Sequence, residues 1–354
     1  MASDKPPKVL FVIGPTGVGK SRLAFDICLA LKARGVNAEI ISADSMQVYR
    51  GCDVATAKAT AAERRLVPHH LLDVCDPQCP FSAADYLSAA KQVITSLWAK
   101  GNLPVVVGGT QLYIELLLWE SAVDVSHPSQ DSRLAALCMS CRGMLRYDAC
   151  IFWLDLPDRV SHERRLRQRL AQMCQDGLLN EVRWLAKELQ LRTWPPDESR
   201  GSPEDSSSAA SETNDATSGG HRGRSSEGWR RGVLQGIGYK EFFPVILPRR
   251  GGELGSGSRG DPSECPTLES CVDLVVLRSL QYARQQRKWI KNKFLIRRRN
   301  VPLYYLEATD AVASWKESVC GPALRIVEEF LEGRPFAESA ELSAAMQMPG
   351  EVLP

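Results

Sequence analysis

The stretch Val9-Leu-Phe-Val-Ile-Gly-Pro-Thr-Gly-Val-Gly-Lys-Ser21 decides the fold. Val9–Ile13 reads as a buried strand, and Gly14–Ser21 matches G-x-x-x-x-G-K-[ST] in full. The glycines let the backbone curl so that successive N–H groups, with the N-terminus of the following helix, face one anion. Gly14, Thr16, Gly17, Val18 and Gly19 would cradle a diphosphate or triphosphate. Lys20 would neutralise it, and Ser21 would help hold Mg²⁺.

Outward from this loop, short β-branched runs alternate with amphipathic stretches. Glu39–Ser42 and Pro104–Val107 read as strands, and Arg22–Leu31, Ser82–Trp98 and Gln111–Trp119 as helices. A further strand, Ala149–Leu154, precedes helical text from Val160 to Leu191 with a break near Gly177. Such alternation predicts an α/β protein, a P-loop parallel sheet flanked by helices, with a mostly helical C-terminal part. There a long helix is expected at Ser270–Leu295, a strand at Leu303–Leu306 and a last helix at Ala323–Leu331.

Composition excludes several classes. The 354 residues are 44% hydrophobic and 24% charged, as in globular proteins, and no apolar run is long enough to span a membrane. A net charge of +2 confines any nucleic-acid surface to a local patch. The eleven cysteines are scattered, so reduced thiols are expected; Cys138 and Cys141 form a C-x-x-C without a second pair. Asp4 and the absence of arginine before Val9 differ from a mitochondrial presequence, which favours the cytoplasm, although another start site could send an isoform to mitochondria.

The expected organisation is a P-loop catalytic core at 1–120, a short connection at 121–145, and a core strand with helices at 146–194. A linker at 195–228 and a C-terminal part at 229–332 with a loop at 248–266 follow, then a tail at 333–354. The 34 residues of the linker hold nine serines and no Val, Ile, Leu, Met or aromatic residue, so burial cannot offset their ordering entropy.

Two strand ends carry candidate chemistry. Asp44 emerges after Glu39–Ser42, at the edge where parallel sheets bind ligands. A carboxylate there can hold Mg²⁺, accept a proton or merely cap a helix. Gly108-Gly-Thr110 repeats the strand–turn–helix logic, and its hydroxyl could reach the same anion; a bare glycine turn is the alternative. Arg278–Arg299 carries nine Lys/Arg and no acid, with Arg284, Arg287, Lys288 and Lys291 at helical spacing, which suits a phosphate backbone or a solvated face.

The blocks G-P-T-G-V-G-K-S at 14–21, S-A-D-S-M-Q-V-Y at 42–49, G-C-D-V-A-T-A-K at 51–58, H-H-L-L-D at 69–73, F-S-A-A-D-Y at 81–86 and V-G-G-T-Q-L-Y at 107–113 occur in order. With later blocks at 146–155, 177–182, 235–242 and 282–294, they closely resemble the tRNA dimethylallyltransferases, or tRNA isopentenyltransferases, of the eukaryotic type. The resemblance implies transfer of a dimethylallyl group from dimethylallyl diphosphate to the exocyclic amine of an adenosine beside the anticodon of tRNA. It implies Mg²⁺ as cofactor, the anticodon stem-loop as partner, no membrane association and a monomer.

By the same resemblance, Asp44 and Thr110 are catalytic, the P-loop residues hold the diphosphate, and Arg287 reaches it from the basic helix. Asp44, Ser45, Met46 and Gln47 line the slot for a flipped base. Gly236, Ile237, Gly238, Tyr239, Lys240, Arg284, Lys288 and Lys291 contact tRNA. Trp289 and Phe294 read as core.

The sequence departs from the family in two places. About 25 residues replace the helical insert that precedes the strand at 149, and no histidine follows His221 to build a C2H2 finger. The tRNA grip is therefore expected to be reduced. An adenylate isopentenyltransferase acting on free nucleotides, or a non-catalytic P-loop RNA-binding protein, are the alternatives.

Overall fold

The computed structural model describes residues 6–120, 144–194, 232–248, 266–296, 301–308 and 314–334. The expected connection at 121–145, linker at 195–228, loop at 248–266, tail at 333–354 and Cys138/Cys141 pair lie wholly or largely outside them.

Six strands form one parallel sheet: β1 (Lys8–Ile13), β2 (Ala38–Ala43), β3 (His69–His70), β4 (Leu103–Gly108), β5 (Asp148–Asp155) and β6 (Leu303–Glu307). Their spatial order is β3-β2-β4-β1-β5-β6, with β1 between β4 and β5. Each strand expected from β-branched runs is present. β3 is too short to leave a periodicity, and it forms only because Ile40 and Ile41 offer it a parallel edge.

Around the sheet lie α1 (Lys20–Lys32), α2 (Ala61–Leu66), α3 (Ala83–Ala99), α4 (Gln111–Leu118), α5 (Arg159–Gln175) and α6 (Leu178–Glu188). Then come α7 (Phe243–Ile246), α8 (Leu268–Ile290) and α9 (Gly321–Glu332). Local chemistry sets their ends. Ser82 and Asp85 close a capping box on α3, and Thr60 and Glu63 close one on α2, which the sequence reading did not register. Gly177, at φ +100°, takes the left-handed turn that separates α5 from α6 at the expected break. α8 widens into a π-helical turn over Lys291–Ile296.

Because strand side chains alternate, β1 feeds two cores. Val9, Phe11 and Ile13 pack with α3, α4 and the end of α8; Leu10 and Val12 pack with α1 and α9. β6 and α9, read from the sequence with the C-terminal part, thus return to the sheet. A third core contains no sheet strand residue. It joins α5, α6, α7 and the first half of α8 around the buried Tyr239, Phe242 and Phe243. This helical lobe sits over the C-terminal ends of the strands. No helix among the described residues is long and apolar enough to cross a membrane.

Candidate active site

The crevice opens where the strand order reverses, between β1 and β4, as parallel sheets require of a ligand site. Gly14 starts the P-loop so close to β5 that a Cβ would lie 2.0 Å from the Leu154 carbonyl oxygen. The loop then turns on Gly17 and Gly19, both at positive φ, and enters α1. Val18 points its side chain into the core, so it can offer a ligand only its backbone.

The loop is clamped from behind. The Thr16 N–H donates to Gln286 Oε1 at 2.8 Å, and the Thr16 carbonyl accepts from His162 Nε2 at 2.8 Å. Lys20 Nζ folds back onto the Pro15 carbonyl at 2.6 Å. Burial draws the Lys20 ammonium down to about 8; Asp44 and Asp155 oppose that shift, and the Arg169 charge adds to it. Arg169 on α5 is itself disfavoured by burial and helped by Asp44. Two desolvated cations thus share one carboxylate, an arrangement that favours an incoming anion.

Asp44 follows β2 as expected. Its Oδ1 accepts the Met46 N–H at 2.9 Å, an Asx turn that aims the carboxylate across the crevice. Thr110 Oγ1 accepts the Ser45 N–H at 2.9 Å, so the two predicted catalytic residues belong to one linked pair of loops. Gln47 is fixed in orientation: its Oε1 accepts from Ser42 Oγ at 2.7 Å and its amide nitrogen donates to the Thr56 carbonyl at 3.0 Å.

Asp44, Thr16, Ser45, Met46 and Arg169 open onto a cavity of about 270 Å³. Its polar end meets the P-loop. Leu166, Leu170, Met173, Val275 and Val276 make much of the rest apolar, with Thr56, Gln235, Ser279 and Tyr282 among them, and Gly236, Ile237 and Gly238 form one wall.

Several expected roles are corrected by position. Arg287 does not extend the basic stripe. Its Nε donates to Asp155 Oδ1 at 2.7 Å and its Nη2 to the Leu156 carbonyl at 2.7 Å, so the arginine facing Asp44 and Lys20 is Arg169. Tyr239 is fully buried and donates its hydroxyl to Glu181 Oε1 at 2.9 Å, which makes it core rather than RNA contact. Lys293 of the basic run is buried in an ion pair with Glu115. Arg284, Lys288 and Lys291 do face solvent, Lys240 is half-buried, and Phe294 and Trp289 pack in the core as read.

Two supporting residues escaped sequence reasoning. Glu181 on α6 accepts the N–H groups of Asp53 (2.7 Å), Val54 (2.6 Å) and Ala55 (2.9 Å). Lys58, with its side chain 1% exposed, donates to Asp53, Asp73 and the Tyr49 carbonyl. Together they fix residues 49–58, whose Thr56 carbonyl orients Gln47. The G-C-D-V-A-T-A-K block was the available signal, without its chemistry.

Among the described residues no three His, Cys, Asp or Glu side chains gather to hold a metal. The oxygen donors at hand, the exposed Ser21 hydroxyl and the Asp44 carboxylate, fit Mg²⁺ carried in with a phosphorylated ligand, which needs only one or two protein ligands.

Sheet, loop and cavity define a P-loop α/β protein with a charged end beside the P-loop and a partly apolar chamber next to it. A profile described as IPP transferase matches residues 47–144 and 129–293, and the chain belongs to that family. Curated relatives include the tRNA dimethylallyltransferase of Homo sapiens, 27% identical over 92% of this chain and 75% of the relative. That of Lactococcus lactis subsp. lactis (strain IL1403) is 31% identical over 82% and 92%. Among solved structures, a eukaryotic dimethylallyltransferase acting on tRNA superposes with a TM-score of 0.69 at 24% identity, covering 94% of this chain and 81% of that one. The full-length tRNA isopentenylpyrophosphate transferase of Bacillus halodurans gives 0.59 at 24%, covering 95% and 99%. These likenesses are to the fold.

Proposed function

We propose that this chain transfers a dimethylallyl group from dimethylallyl diphosphate to the exocyclic amine of an adenosine adjacent to the anticodon of tRNA. One observation carries the reading furthest: Arg169 and Asp44 meet at the P-loop end of a cavity, near the Lys20 charge, while Leu166, Leu170, Met173, Val275 and Val276 line much of the remainder. That asymmetry matches a donor with a charged head and a hydrocarbon tail.

In this reading the amides of 17–21, Lys20 and Arg169 receive the diphosphate and stabilise the charge that builds on it as the carbon–oxygen bond breaks. The Ser21 hydroxyl would help hold Mg²⁺ brought in with the diphosphate, and that ion would supply further neutralisation of the leaving group. Asp44 hydrogen-bonds the amine, aligns its lone pair on the allylic carbon and takes its proton as the carbon–nitrogen bond forms. Thr110, through Ser45, keeps the Asp44 loop in place. Gln47, with its amide orientation set by Ser42 and Thr56, lines the slot for an extruded base. Arg284, Lys288 and Lys291 supply a phosphate-contacting face on α8.

Labelled dimethylallyl diphosphate incubated with tRNA or with AMP tests the proposal. Label is expected on tRNA. Label on AMP alone would assign the adenylate isopentenyltransferase reaction, and tight ATP binding without dimethylallyl diphosphate binding would replace the reading with a kinase or NTPase.

A further inference from the structure

His162 is buried on α5, titratable, and unused by the chemistry above. Its hydrogen bonds leave one protonation state. Arg287 can only donate, so His162 Nδ1, 3.1 Å from Arg287 Nη2, accepts. The Thr16 carbonyl can only accept, so Nε2 carries the proton and donates at 2.8 Å. The relay continues to Asp155 at the end of β5, which binds Arg287 Nε. His162 also lies against the P-loop backbone, where a Cβ on Gly17 would approach its Nε2 to 3.3 Å.

Thr16 is therefore gripped at both ends of its backbone by side chains that answer to consecutive residues of α8: Gln286 on its N–H, and Arg287 through His162 on its carbonyl. We propose that His162 is a positioning residue for the donor site, holding the Thr16 carbonyl away from the diphosphate and tying the P-loop to the Asp155–Arg287 pair. The proposal rests on the prenyl-diphosphate reading. It assigns to His162 no contact with either substrate.

The groups facing His162 are Arg287 from α8, Asp155 from β5 and Lys20 from α1. Burial, with the Arg287 charge, holds the imidazole below its usual range, against the Thr16 hydrogen bond and Asp155, so it is neutral at neutral pH. Protonation at Nδ1 would abolish the Arg287 bond and set two cations against each other. Donor binding should then weaken on acidification by more than the diphosphate's own titration accounts for.

The test is calorimetric binding of dimethylallyl diphosphate, with inorganic diphosphate as a second probe, to wild type, His162→Leu and His162→Gln. Loss of the hydrogen bonds to the Thr16 carbonyl and from Arg287 in His162→Leu should raise Kd roughly five- to tenfold near pH 7.5 while leaving KM for tRNA and the saturated single-turnover rate within about twofold. His162→Gln can still donate to Thr16 and cannot become a cation. It should bind near wild type at about pH 7.5 and lack the extra weakening of wild type near pH 5.5. Wild-type affinity in His162→Leu, or a His162→Gln profile that follows wild type at every pH, would overturn the role. If His162→Leu does not fold, the His162→Gln profile decides alone. Failure of wild type to bind any prenyl diphosphate would instead overturn the donor reading, and this proposal with it.

Discussion

The backbone N–H of Thr16 and the side chain of Gln286 are joined by a 2.8 Å hydrogen bond that ties the P-loop to α8. The other end of the Gln286 amide donates to the Gly109 carbonyl at 3.0 Å, so one buried side chain links the loops after β1 and β4. Replacing it with Leu leaves the Thr16 N–H unpaired and the Gly109 carbonyl with only the Tyr282 hydroxyl at 3.3 Å. We expect a loss of about 1–3 kcal/mol in urea denaturation, with weaker donor binding. An unchanged midpoint would show that the loops hold without it.

Asp44→Asn preserves shape and the turn to Met46 but cannot take the amine proton. Single-turnover transfer should fall by roughly 10²-fold or more while dimethylallyl diphosphate still binds. A near-normal rate would remove Asp44 from the proton step.

Arg169 and Arg287 should separate cleanly. Arg169→Met is expected to weaken dimethylallyl diphosphate binding by about 30- to 100-fold, as for truncation of a desolvated charge on its partner. Arg287→Met takes from the buried Asp155 carboxylate its ion-pair partner and should cost about 3 kcal/mol of stability. The reverse pattern in calorimetry and denaturation would restore Arg287 as the donor-binding arginine.

Glu181→Gln retains the size of the side chain but gives up a charge that three backbone N–H groups and the Tyr239 hydroxyl address. A stability loss of about 2–3 kcal/mol is expected, with KM for tRNA rising more than KM for donor because Thr56 no longer fixes Gln47. Equal rises in both constants would contradict that path.

Stability should decline on mild acidification. Burial depresses both His162 and His69 below the usual histidine range, so the unfolded chain takes up protons first as pH falls below about 6.5. In that window the unfolded state binds more protons than the native one, and the free energy of unfolding therefore drops with pH. Urea midpoints measured across this window should fall in wild type and fall less in His162→Gln; equal slopes would exclude a contribution from His162.

Much of this was readable in the residues. Val9–Ile13 with Gly14–Ser21 fixed strand, loop and helix by local rules, and Asp44 and Thr110 followed from their places at strand ends. What escaped depends on pairings remote in sequence. Helical spacing alone set Arg287 beside Arg284, but Asp155 lies 132 residues away and turns the guanidinium inward. Tyr239 looked like part of an RNA-contacting loop, yet its burial is created by α6, α7 and α8 closing over it. Arg169 was one arginine among several on α5, and only the approach of that helix to Lys20 and Asp44 distinguishes it.

The last strand of the sheet has a consequence for biosynthesis. β5 is complete at Asp155, but the strand that covers its outer edge begins only at Leu303, about 150 residues later. At typical elongation rates that interval is on the order of 10–30 s, during which the nascent chain carries a long apolar edge, Ala149–Leu154, without its hydrogen-bonding neighbour. Ribosome-associated chaperones should meet this protein chiefly at that edge, and truncation before residue 303 should yield a product that aggregates rather than one that is merely inactive.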